Sequence, residues 1–162
     1  LYVHGYKGDP YGGSFQKISK YAAEADFGGE IIIHNLDADC LYDSSKSLGD
    51  FFNLSMPSVE ADKTVIDGDV LPFGDSEIKV MHTPGHTVGG VCYIIDDMIF
   101  SGDTLFCDSV GRTDFPGGSA EVLSESLRKL ASLEGNYKVY PGHEDITDLD
   151  RERKYNFYMK GM

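Results

Sequence analysis

Three scarcities narrow the function of this 162-residue sequence before any motif is read. Cysteine occurs only at Cys40, Cys92 and Cys107, widely spaced and never as C-x-x-C. An odd, scattered set suggests neither a disulfide framework nor a thiolate zinc site, and it suits a reducing cytoplasm. Positive charge is short as well: 14 Lys and Arg stand against 27 Asp and Glu, a formal net charge of −13. That balance opposes binding to nucleic acid or to an anionic membrane. No apolar run approaches the length of a membrane-spanning helix, and the start lacks the basic and apolar stretches of an export signal, so the reading is a soluble cytoplasmic protein. Internal repeats, low-complexity tracts and linkers are also missing, and the length predicts a single domain over 1–162. Because the sequence begins at Leu1, already inside an apolar run, it reads as a fragment or a processed product.

What is present is a strand-and-helix rhythm. Leu1 to Val3 reads as a strand delivering His4 into the turn "HGYKGDP". "SFQKISKYAAEAD" (14–26) places Phe15, Ile18, Tyr21, Ala22 and Ala25 at helical spacing, with Gly28 and Gly29 ending the helix. "EIIIH" (30–34) is a β-branched run, "NLDADCLYD" (35–43) an Asn-capped turn or short helix, and 44–62 a loop. The middle holds the β-rich runs "KTVI", "VLPF", "SEIKVMH", "GVCYIID" and "MIFSG", parted by turn residues. "SAEVLSESLRKLASL" (119–133) predicts a helix, "YKVYP" (137–141) a strand, and "TDLDRERKYNFYM" (147–159) a closing helix. The fold class is therefore α/β (α+β), a sheet covered by helices.

Three of the strands share one ending. "VMHTPGH" leads to His86, "MIFSGD" to Asp103 and "YKVYPGH" to His143. In each, an apolar run stops at Gly or Pro-Gly and a residue able to bind a metal follows at once. Strands ending alike can bring two imidazoles and a carboxylate to one sheet edge, a donor set suited to zinc, manganese or iron. His82 falls on the same face as Ile78 and Val80, which predicts a packed or supporting histidine, and His34 reads as structural.

"HTPGHTVGG", "FSGDTLF", "VGRTDFPGGS" and "VYPGHE" occur together and in an order that resembles the metallo-β-lactamase superfamily, specifically its glyoxalase II-like (hydroxyacylglutathione hydrolase-like) branch. The resemblance covers nearly the whole chain. It implies an αββα sandwich with a metal centre at the edge of the paired sheets, holding one or two zinc ions, or iron or manganese. It further implies that His86 belongs to a first metal site, Asp103 bridges two metals and His143 belongs to a second. Arg112 and Asp114, in "GRTDF", match a branch signature near the active-site mouth, where a loop-stabilising ion pair is the alternative reading.

Two departures qualify the likeness. The family's early H-x-H-x-D-H motif has its counterpart in "HGYKGDP": His4 matches the first histidine, Tyr6 replaces the second, and Pro10 stands where the last is expected. Asp9 matches the aspartate with one residue inserted, which leaves His4 and Asp9 as the metal ligands of a degenerate motif. Relatives also carry a β-rich segment before this motif. Its lack here predicts a sandwich incomplete at its N-terminal sheet, with an exposed edge that a homodimer would cover.

The activity the resemblance implies is hydrolysis of a thioester such as an acyl-glutathione, a small-molecule substrate attacked by metal-bound hydroxide. Asp9 would orient the water or take its proton, with Asp103 the other catalytic carboxylate. Two alternatives stand beside it. His4, His86 and Asp103 together would form the two-histidine, one-carboxylate triad of a mononuclear iron persulfide dioxygenase, a relative with a similar "GRTDF" stretch. Tyr6, Pro10 and the missing segment instead suit a non-catalytic remnant or binding module of the same fold.

Overall fold

The computed structural model describes residues 30–43, 45–46 and 60–162. The expected strand 1–3, the helix 14–26, His4, Asp9 and most of the loop 44–62 lie outside the described residues. Ten strands occur among those described. They are β1 (Ile32–His34), β2 (Lys63–Val65), β3 (Val70–Phe73), β4 (Ser76–His82), β5 (Val91–Ile95), β6 (Met98–Gly102), β7 (Leu105–Phe106), β8 (Ser109–Val110), β9 (Lys138–Pro141) and β10 (Thr147–Asp148). Six of them form one mixed sheet in the order β10-β9-β6-β5-β4-β3; β1 pairs with β2 in parallel, and β7 with β8 as a hairpin.

The pairing explains why three similar strand endings matter. β4, β5 and β6 are successively antiparallel, and β9 lies parallel to β6. β4, β6 and β9 therefore run the same way and finish at the same sheet edge. The residues following them can meet, whereas those following β5 leave from the opposite edge.

Alternation along the strands builds two cores. Cys92, Ile94, Ile99 and Val139 face helix α1 (Ala120–Ala131), which supplies Leu123, Leu127 and Leu130. Leu149, from α2 (Leu149–Tyr155), and Met159 close the same layer. On the opposite face Ile78, Val80, Tyr93 and Ile95 pack with Val65 of β2 and Ile32 of β1. β5 is thus buried on both sides, which accounts for its nearly continuous apolar run. Among the described residues the second layer consists of the β1–β2 pair, so the described part is a mixed α/β sandwich of unequal layers. At the sheet edge, Val70 and Phe73 of β3 are about half exposed, and Pro72 removes one of that strand's amides.

The helix α1 starts where the sequence predicts, with Ser119 accepting from the amide of Val122. The C-terminal segment differs from the expected helix over 147–159. Thr147 and Asp148 pair with β9, Asp148 then caps α2, and the helix ends at Tyr155. Asn156 leaves the helical conformation with its side-chain amide committed to the carbonyls of Phe106 and Ser109 and to Glu152. The 35–43 segment is a short 3-10 turn, Ala38–Leu41, preceded by Asp37 rather than capped by Asn35.

Candidate metal centre

The loop after β4 is pinned to α1 before it reaches His86. Ser126 donates its hydroxyl to the carbonyl of Pro84 at 2.7 Å, and the amide of Ser119 donates to the carbonyl of Gly85 at 2.8 Å. Gly85 adopts φ +135°, and a Cβ there would lie 2.5 Å from the backbone of Leu123. Only glycine lets the loop sit this close to the helix.

His86 is then oriented by a backbone group. Its Nδ1 stands 2.8 Å from the carbonyl of Arg112. A carbonyl only accepts, so Nδ1 carries a proton, and the tautomer this selects presents Nε2 as the ligating atom. That atom faces Oδ2 of Asp103 at 3.4 Å, while Nε2 of His143 lies 3.2 Å from Oδ1 of the same carboxylate. His143 follows β9, and the ring of Phe106 meets it edge-on at 5.5 Å between centroids. Asp103 is 8% exposed at its side chain, and its Oδ1 is buried without a hydrogen bond among the described residues.

A buried carboxylate oxygen without a hydrogen bond is costly unless something cationic completes it. The spacing fits such a cation. Two ligand atoms each about 2.0–2.1 Å from a tetrahedral zinc stand roughly 3.3–3.4 Å apart, close to the two nitrogen–oxygen separations found here. Each imidazole faces a different oxygen of the Asp103 carboxylate, one arrangement in which a carboxylate can serve two cations. Among the described residues no three His, Cys, Asp or Glu side chains form a complete cation site by themselves. The trio is therefore a partial donor set, and His4 and Asp9, the other expected donors, lie outside the described residues.

The remaining sequence candidates find other partners. Arg112 and Asp114 pair with each other, Nε to Oδ1 at 2.7 Å and Nη2 to Oδ2 at 2.5 Å, and the guanidinium stacks 3.8 Å above the ring of Phe115. The arginine's hydrogen bonds hold the Asp114 carboxyl down at about 2. Both side chains are more than half exposed, so the pair shapes the loop while solvent screens its charge. His34 and His82 stack on each other, centroids 4.2 Å apart and planes within 5°. His82 Nε2–H donates to the carbonyl of Val88 at 2.9 Å, and His34 Nδ1 accepts from the amide of Leu36 at 3.3 Å. Burial, then the neighbouring His82, pushes His34 below the ordinary histidine value, against the pull of Asp37, Asp67 and Asp69. The expected structural role of both histidines is the one observed.

Two contributors escape a side-chain reading of the sequence. One is the Arg112 carbonyl, which sets the tautomer of His86. The other is Gly111, where a Cβ would lie 2.9 Å from the carbonyl carbon of Asp103 and 3.3 Å from the Cβ of His86. The glycine of "VGR" is the one available signal for this close approach.

The match of a family model settles the wider kinship: Lactamase_B, the metallo-beta-lactamase superfamily, matches residues 23–143. The chain belongs to the metallo-beta-lactamase superfamily. Among solved structures it is similar to the BLEG-1 B3 metallo-beta-lactamase, with a TM-score of 0.78 and 29% identity, over 86% of this chain and 69% of that one. It is 41% identical over 118 residues to an uncharacterised protein of Mycobacterium leprae, covering 70% of this chain and 53% of that relative. The mitochondrial persulfide dioxygenase ETHE1 of Bos taurus is 36% identical over 108 residues, 62% of this chain and 42% of its own length. The chain thus spans about half the length of these two curated relatives. In this superfamily setting Asp103, His86 and His143 form the candidate metal centre. No helix among the described residues is long and apolar enough to cross a membrane.

Proposed function

We propose that the chain is a metal-dependent hydrolase of the glyoxalase II-like type, acting on a thioester such as an acyl-glutathione with zinc as its metal. The observation that carries this reading is the division of one buried carboxylate between two imidazoles, with Oδ1 facing His143 but making no hydrogen bond among the described residues. A carboxylate shared in this way suits a pair of cations, the arrangement used for hydrolysis. Bound metal would supply a water acidified toward neutral pH and a Lewis acid for the thioester carbonyl. Water adds to that carbonyl, the carbon–sulfur bond breaks, and the sulfur leaves as a thiol with the proton released from water.

The chain's own residues supply orientation. The Arg112 carbonyl keeps the proton of His86 on Nδ1 and so keeps Nε2 available. Phe106 packs edge-on against His143 and supports the orientation of its ring. Asp103 stays nearly closed to solvent. Arg112 and Asp114 line the mouth in this reading, and Asp9 orients the attacking water.

A second reading has its own support. The likeness to bovine ETHE1, named a persulfide dioxygenase, covers 62% of this chain at 36% identity, and the "GRTDF" stretch resembles that branch. In that reading a single iron is held by His4, His86 and Asp103. Purified protein distinguishes the two. Release of free thiol from an acyl-glutathione, with zinc bound and activity lost in His86→Ala and Asp103→Ala, supports the hydrolase. Iron with oxygen uptake on glutathione persulfide and no thiol release overturns it in favour of the dioxygenase. Protein that binds neither metal and turns over neither substrate is the non-catalytic remnant.

A further inference from the structure

We propose that Asp37 is a positioning residue for this metal centre, a clamp that holds the His86 loop from the β1 side of the molecule. The inference rests on the metal-centre reading above and adds to it a residue some fifty positions away in sequence. Asp37 Oδ2 accepts the hydroxyl of Thr87 at 2.5 Å, and Oδ1 accepts the amide of Gly89 at 2.9 Å. These donors follow His86 by one and three residues, so one carboxylate grips the stretch that aims the imidazole.

Three further features fit a clamp. Asp37 occupies the residue before the 3-10 turn Ala38–Leu41, where a carboxylate would ordinarily cap the turn, yet it makes no capping bond. Its acceptors are spent on the His86 loop instead. At Gly89 a Cβ would lie 2.6 Å from Asp37 Cγ and 2.8 Å from the Asp37 backbone nitrogen, so the approach depends on glycine. The other anchors of the loop act on different residues: Ser126 and Ser119 hold Pro84 and Gly85 on α1, and the amide of Thr83 pairs with the carbonyl of Gly90. Asp37 holds Thr87 and Gly89, the His82 ring holds the carbonyl of Val88 between them, and the Arg112 carbonyl holds the ring of His86 itself.

Metal sites tolerate ligand displacements of only about 0.2 Å, and losing a group that orients a ligand typically costs 10–100-fold in affinity. Asp37 belongs to the segment that follows β1. Displacement of that layer would therefore reach His86, and by linkage a bound cation would favour the docked layer. Geometry, rather than net charge, is the proposed basis. Asparagine keeps an acceptor for the Gly89 amide, and the Thr87 hydroxyl can turn to accept from the new NH2 group.

The test uses the full chain with Asp37→Ala, Asp37→Asn and Thr87→Val. Zinc affinity is measured by competition with a chromophoric chelator, and the His86 ring tautomer by nitrogen-15 NMR on metal-free protein. Asp37→Ala is expected to lose about 10–100-fold in zinc affinity and to lose the single Nδ1–H tautomer, with Asp37→Asn recovering most of both. Wild-type affinity and tautomer in Asp37→Ala would overturn the proposal. Should Asp37→Ala fail to fold, Thr87→Val decides: a several-fold loss of affinity supports the clamp and an unchanged value sinks it. Wild-type protein that binds no zinc would defeat the metal-centre reading, while the tautomer comparison would still decide the role of Asp37.

Discussion

Gly111→Ala tests how closely the backbone sets the metal donors. A Cβ at this position would lie 2.9 Å from the Asp103 carbonyl carbon, nearer still to its oxygen, and 3.3 Å from the Cβ of His86. Ordinary carbon contacts are about 3.5–4.0 Å, so the segment must back away from Asp103 by roughly 1 Å. The strand hairpin resists, because the amide of Gly111 is bonded to the carbonyl of Thr104 at 3.3 Å and the next residue holds His86. Overpacking of this kind costs about 1–3 kcal/mol. For a chain of this size that lowers Tm by roughly 2–12 °C. The effect on metal should be larger in proportion, since the displacement is several times the ~0.2 Å that coordination allows. Thermal unfolding and chelator competition measure the two effects on one sample. A variant that folds with wild-type Tm and wild-type zinc affinity would refute the argument that Gly111 is retained for this close approach.

Three other outcomes are expected. Glu152 is fully buried and accepts from the Thr147 hydroxyl, Arg151, Asn156 and the amide of Asp108; Glu152→Ala should cost about 3–5 kcal/mol, read from urea unfolding, by stranding those donors. Because burial and His82 depress His34 in the fold, the unfolded chain takes up the His34 proton first as pH falls. Stability should be level above the ordinary histidine value of about 6.5 and decline below it, more steeply in wild type than in His34→Gln; equal slopes in the two urea titrations would contradict this. Arg112→Ala removes an exposed pair with Asp114 while leaving the backbone carbonyl that holds His86, so Tm and zinc affinity should barely change. Any role of Arg112 at the substrate mouth would then appear as a raised KM at unchanged kcat.

The parts of this molecule that could be read from sequence are those written in side-chain periodicity. "VMHTPGH", "MIFSGD" and "YKVYPGH" each mark a strand with its terminus, and β4, β6 and β9 do finish at one edge. Less legible are interactions made by backbone or across long separations. The "GRTDF" stretch marks Arg112 by its side chain, whereas its backbone carbonyl contacts His86. Asp37 lies in the acidic turn "NLDADCLYD", where nothing local shows a carboxylate reaching residues 87 and 89. Glu152 lies within "DLDRERKY", where periodicity cannot separate a buried, fully bonded carboxylate from its solvated neighbours. Strands β7 and β8 have two residues each, too short for alternation to register. In "TDLDRERKYNFYM" the helical pattern is genuine only to Tyr155, since Thr147 is claimed by β9 and Asn156 by the β7–β8 turn.

Metal stoichiometry in wild type and Asp103→Ala is the most direct test of the central claim that His86, Asp103 and His143 are donors to a shared metal centre. Each protein is loaded with zinc, freed of excess ion and assayed for bound metal per chain, with circular dichroism to verify folding. The account predicts zinc bound by the wild-type chain and lost from a folded Asp103→Ala. Equal zinc content in the two folded proteins would contradict it.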